Sequence, residues 1–231
     1  KQHRAGNPKV AGALPEAGRG KPAAKAKAAQ KGRPLEWKMR VKSRAFLHCI
    51  YGGAKMKKME LLAPAGDIQS ARAAFAAGAD ACYIGGAFSA RAYAANFKRE
   101  EIAELVRYAH LRGKKVHVAL NIMLKQREME QALAEAEFLF EAGVDAVIAA
   151  DLGFLRQAHL RFPGLALHAS TQMGIQDAAG ARLAAELGCS RVVAARETTL
   201  SGLKNMAQTG IEVEAFCHGA LCSGISGACL L

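Results

Sequence analysis

From Glu60 onward, short apolar runs alternate with segments whose apolar residues recur every three or four positions. Glu60-Leu-Leu-Ala-Pro-Ala is the first run. Gly66-Asp67 then supplies a turn and an N-cap, and Ser70 to Ala79 reads as an Ala-rich helix closed by Gly78. Residues 81–86 form the next strand, a helix follows from about Arg99 to Arg112 and stops at Gly113, and residues 116–123 give a third strand. A helix over 128–142 puts Met129, Leu133, Ala136 and Phe140 on one face, with Glu128, Glu130, Glu135, Glu137 and Glu141 on a solvated one. Runs at 146–151, 166–171, 191–196 and 212–218 bring the strands to seven, with a helical segment between each pair.

Apolar strands alternating with amphipathic helices imply right-handed βα units and a parallel sheet. A doubly wound nucleotide-binding sheet would usually carry Gly-x-Gly-x-x-Gly after a strand, and Gly85-Gly86 lacks that spacing. Polar residues at the C-terminal strand ends (Asn121, Asp151, Thr171-Gln172, Arg196-Glu197 and His218) fit a barrel whose chemistry faces one rim. The expected class is therefore α/β, a TIM-barrel-like (β/α) fold of about seven units. Residues 59–231 span 173 positions, short of the roughly 200–250 of a closed eight-stranded barrel. The expectation is an incomplete barrel, truncated after its seventh strand.

Charge separates the chain into two parts. The formal net charge is +12, yet residues 1–58 hold 16 Lys/Arg against Glu16 and Glu36 alone. Residues 59–231 are slightly acidic, so the basic pI says nothing about what the folded part binds. With few large apolar side chains, residues 1–58 are expected to be a disordered basic low-complexity tail, and 59–231 the folded domain. No stretch approaches 18 apolar residues and no secretory pattern opens the chain, so a reducing cytoplasm is the expected setting.

Cys222-Ser-Gly-Ile-Ser-Gly-Ala-Cys229 is a C-x6-C pair among small residues, whose backbone could wrap a compact metal centre. The spacing departs from that of structural zinc, and two small buried hydrophobes would read equally well. The surrounding run, Glu214-Ala-Phe-Cys-His-Gly-Ala-Leu-Cys-Ser-Gly-Ile-Ser-Gly-Ala-Cys-Leu-Leu, closely resembles the hallmark motif of peptidase family U32, the collagenase-like proteins. Glu60-Leu-Leu-Ala-Pro-Ala-Gly, Gly78-Ala-Asp-Ala-Cys-Tyr-Ile-Gly-Gly, Arg91-Ala-Tyr-Ala-Ala-Asn-Phe and His168-Ala-Ser-Thr-Gln-Met match in order.

That resemblance implies an iron–sulfur-dependent, oxygen-independent RNA hydroxylase, with tRNA uridine first among substrates and prephenate as the hydroxyl source. It implies a 4Fe-4S cluster with Cys222 and Cys229 as the first two ligands and two more beyond Leu231. Cys217 and Ile225 depart from the family pattern without removing a ligand. A collagenase-like peptidase and an inactive truncated fragment are the alternatives. No His-Glu-x-x-His or Gly-x-Ser-x-Gly supports the peptidase.

Candidate catalytic residues on the expected rim are His168 and His218, either able to move a proton near neutral pH, with Arg196 and Glu197. Arg196 could clamp a carboxylate or phosphate, or simply pair with Glu197. Arg91, Tyr93 and Asn96, with Asn121 and Gln172, are the candidate substrate-binding set. His110 and His117 read as structural, and Cys82 and Cys189 as core.

Overall fold

The computed structural model describes residues 59–89, 96–219, 222 and 224–228. Seven strands are present among them: β1 (Leu62–Pro64), β2 (Ala81–Gly85), β3 (Lys115–Leu120), β4 (Ala146–Ala149), β5 (Leu167–Ala169), β6 (Cys189–Val193) and β7 (Glu212–Glu214). Between them run α1 (Ile68–Ala76), α2 (Arg99–His110), α3 (Met129–Glu141), α4 (Leu152–Arg161), α5 (Ala178–Glu186) and α6 (Leu200–Ala207). All six strand pairings are parallel and the order is sequential, β1 to β7.

Local chemistry sets the helix starts. Asp67, Asp151, Asp177 and Thr199 each accept a hydrogen bond from the backbone N–H three residues on, capping α1, α4, α5 and α6. Because Asp67 is itself the cap, α1 begins at Ile68 rather than Ser70. The helices lay one face on the sheet, where Ile102, Leu105, Leu133, Leu139, Phe154 and Leu155 fill the layer between.

The sheet curls. His117 on β3 and His168 on β5 have a full strand between them, yet their ring centroids are 4.9 Å apart. Two strand steps in a flat sheet would separate them by about 10 Å. The seven strands thus form an open half-barrel with a concave inner face, as expected for this class.

Two expectations about α3 fail. Its buried face is Ala132, Leu133, Glu135, Ala136 and Leu139, while Phe140 is 44% exposed. Glu135 is buried, not solvated, and accepts from Arg99 Nη2 at 2.7 Å and Nε at 3.0 Å. The apolar stripe sits one position earlier than the Met129–Phe140 register, which turns Glu135 inward to a cation on α2.

Candidate active site

The C-terminal ends of β3, β5, β6 and β7 carry the polar residues that a barrel's chemistry would use. Asn121 directly follows β3, and its Nδ2 donates to Ser170 Oγ at 3.4 Å. Ser170, buried just past β5, also accepts from the backbone N–H of Gln172, opening a short 3-10 turn over Thr171–Met173. Thr171 Oγ1 donates to the Ala194 carbonyl beyond β6 at 3.3 Å. These bonds tie the ends of three strands into one rim.

The loop that follows β7 is clamped onto this rim. Ser226 Oγ accepts from the backbone N–H of Arg196 at 3.2 Å, and the Ser226 N–H donates to Glu197 Oε1 at 2.6 Å. That second bond is the leading cause of a Glu197 pKa below the ordinary carboxylate range. Gly227 sits at φ +82°, and a Cβ there would collide with the Gln172 carbonyl oxygen. Glycine alone permits both the left-handed backbone and that close approach. So the backbones of Arg196 and Gln172 and the carboxylate of Glu197 meet on the cysteine loop, and Glu197 holds that loop rather than standing free for catalysis. The Arg196 side chain, His218, Cys217 and Cys222 are exposed.

His168 is not a rim residue. It lies inside β5, 4% exposed, with its ring set edge-on to His117, which is 1% exposed. Burial, above all, holds both imidazoles well below their ordinary pKa, so they stand neutral at physiological pH. Nδ1 of each is buried without a hydrogen-bond partner. A ring nitrogen from each and a Glu214 carboxylate oxygen lie within 4.8 Å of one another.

Arg191 completes this inner layer. A register shift between β5 and β6 pairs Leu167 with Cys189 but His168 with Arg191, leaving Ser190 as the extra residue. The bulge turns Arg191 onto the concave face beside His168. There its guanidinium meets Glu60 at 2.8 Å, Glu212 at 2.9 Å and Glu214 at 3.3 Å. Burial alone would raise Glu60, but hydrogen bonds from Lys115 and Arg191 outweigh it and hold the carboxyl well below its usual range. Glu214 is pushed up by burial, which Arg191 only partly offsets. Alternation does not mark this inward layer, because β5 and β7 are only three residues long and a bulge resets the register of β6. The signal that could have found it was the β3, β5 and β7 set of polar residues in otherwise apolar runs.

Other placements follow the sequence. Cys82 and Cys189 are buried, and burial pushes their thiols up to about 11 and about 12. His110 pairs with Asp145 at 3.0 Å, a structural role. Asn96 is exposed before α2. Arg91, Tyr93 and Cys229 lie outside the described residues, as do residues 1–58. No helix among the described residues is long and apolar enough to cross a membrane.

Comparison with known proteins agrees with this geometry. The chain is 43% identical over 176 residues to the 23S rRNA 5-hydroxycytidine synthase of Escherichia coli, covering 75% of this chain and 26% of that protein. It is 38% identical over 177 residues to a tRNA hydroxylation protein of Bacillus subtilis, covering 76% of this chain and 42% of that one. The chain thus spans less than half the length of these curated relatives. A solved U32 peptidase structure shares the fold, with a TM-score of 0.56 at 13% identity, over 71% of this chain and 72% of that one. The family model for peptidase family U32 matches residues 66–231, from the turn after β1 through the clamped cysteine loop, and the chain belongs to that family.

Proposed function

We propose that the protein containing this chain hydroxylates a base in RNA, with the chemistry at the rim where Ser226 is clamped. The observation that carries this reading is the pairing of that clamp with two relatives named for RNA hydroxylation, at 43% and 38% identity. A clamp that fixes backbone N–H groups beside exposed Cys222 suits a loop that must hold a preorganised centre.

The chemistry sets what such a site must supply. Replacing a ring C–H by C–OH removes two electrons and adds one oxygen atom, so an electron acceptor and an oxygen donor are both needed. An iron–sulfur cluster, held in part by Cys222 and Cys229, would pass those two electrons one at a time to an external electron acceptor, with no need for O2. Prephenate is the proposed hydroxyl source, and Arg196, exposed at the rim, presents a bidentate donor to a carboxylate or a phosphate. Asn121 and Gln172 border the same rim and offer amide groups to a base edge. A tRNA uridine is the proposed target, with an rRNA cytidine the competing one.

The peptidase reading draws on the family name and on relatives named protease and collagenase. The thiols of Cys82 and Cys189 are buried and shifted away from reactivity, opposite to what a nucleophile needs.

Nucleosides from separated tRNA and rRNA of a strain lacking the gene test the proposal. Loss of a 5-hydroxypyrimidine from tRNA supports the proposed target, and loss from rRNA moves it to the cytidine. An unchanged profile in both fractions, together with no visible cluster absorbance in anaerobically purified full-length protein, rejects it.

A further inference from the structure

We propose that His117, His168 and Glu214 form a divalent-metal site inside the half-barrel, separate from the cysteine loop at the rim. The three residues come from β3, β5 and β7, the alternate strands that supply one layer of a barrel interior. A ring nitrogen of each histidine and a carboxylate oxygen of Glu214 lie within 4.8 Å of one another. Zinc–ligand distances of about 2.0–2.1 Å require donor atoms roughly 3.3–3.5 Å apart in a tetrahedral site. Small side-chain rotations close that difference.

The second observation is the state of the imidazoles. Both are more than nine-tenths buried, and Nδ1 of each has no partner. Leaving a buried polar group unsatisfied costs roughly 1–3 kcal/mol, and native structures rarely hold two side by side without a reason. A metal ion gives neutral imidazoles the partner that the protein does not.

The surrounding charges permit the ion. Lys115 and Arg191 are the cations that could repel it, but Lys115 is engaged by Glu60 at 2.8 Å, and Arg191 by Glu60 at 2.8 Å and Glu212 at 2.9 Å. The contact of Arg191 with Glu214, at 3.3 Å, is the longest of its three. Glu214 can therefore turn toward an ion while Arg191 stays paired. Two imidazoles and one carboxylate match a borderline first-row ion such as Zn2+ or Fe2+, with a coordination position left for water.

Zn2+ titration by calorimetry, on the chelator-treated 231-residue chain carrying Cys222→Ser and Cys229→Ser, isolates this site from the cysteine loop. One equivalent should bind, and adding His168→Gln or Glu214→Gln should weaken binding by more than about 100-fold, beyond the loss typical when only a residue hydrogen-bonded to a ligand is changed. No binding in the serine background, or binding that His168→Gln leaves unchanged, overturns the proposal. Should those variants fail to melt cooperatively, histidine side-chain 15N spectra of the serine-background chain decide. Two imidazoles that shift with one equivalent of Zn2+ support the site. Unshifted spectra overturn it and leave buried water as the partner of the two rings.

Discussion

Arg191 Nη1 donates to Glu60 Oε1 at 2.8 Å, although 131 positions separate the two residues and five strand steps separate β6 from β1, which Glu60 precedes by two residues. In a flat sheet that span would be about 24 Å. The contact exists because the sheet curls, and it closes the interior where the strands themselves do not pair. Arg191→Met removes the one cation facing Glu60, Glu212 and Glu214 from β6. Glu60 and Glu214 are half-buried and Glu60 keeps Lys115 at 2.8 Å, so losing this partner should cost about 1–3 kcal/mol. Urea unfolding should register a loss of that size for Arg191→Met. Adding Glu60→Met should restore part of it, since one stranded charge goes too. A loss under about 1 kcal/mol would mean that the network contributes little.

On α3 the sequence suggested a uniform acidic face, and the structure divides it. Glu135 is 5% exposed and bound by Arg99, whereas Glu137 is exposed. Glu135→Ala should cost roughly 1–3 kcal/mol, and Glu137→Ala should fall within about 0.5 kcal/mol of the parent in the same melts. Equal effects would contradict the assignment.

The contrast shows what a sequence carries. Strand order, the capping Asp67, and the rim positions of Asn121 and Gln172 follow from local pattern and spacing, whereas Asp151, read as a strand-end residue, also caps the next helix. The inward turn of Glu135 and the β6 bulge that aims Arg191 at His168 depend on partners 36 and 21–131 residues away, which no local window contains. The inward place of His168, expected at the rim, escapes local pattern for a different reason. Its strand is three residues long, too short for alternation to tell inside from end.

Gly227 is where the cysteine loop meets the rim most closely. Gly227→Ala sets a side chain against the Gln172 carbonyl and forces a left-handed φ on alanine, a strain of about 1–3 kcal/mol. The barrel core does not share that strain. Limited proteolysis should cut the loop much faster in the variant, while the main thermal transition moves by only a few degrees. Parent-like cutting would mean that the loop is not held by this contact.

Acid should unfold the metal-free protein through the histidine pair. His117 is held to a pKa of about 4 and His168 to about 2, while an unfolded histidine titrates near 6.5. The cause is burial first, with Arg191 and Lys115 adding repulsion for both. Glu60 opposes the shift at each, and Asp145 does so at His117. Below about pH 6.5 the unfolded chain therefore binds protons that the folded chain refuses, so stability falls as pH falls. Each histidine contributes up to about 1.4 kcal/mol per pH unit over its window. Glu60, held low in the folded state, adds to the loss only below its ordinary value of 4.5. Glu214, raised in the folded state, works against it. Between pH 6.5 and 5 the histidines dominate. Urea melts of chelator-treated protein should steepen in their pH dependence there, and His168→Gln should remove about half of the slope. A stability profile flat from pH 7 to 5 would show that the two rings do not resist protonation in the folded chain.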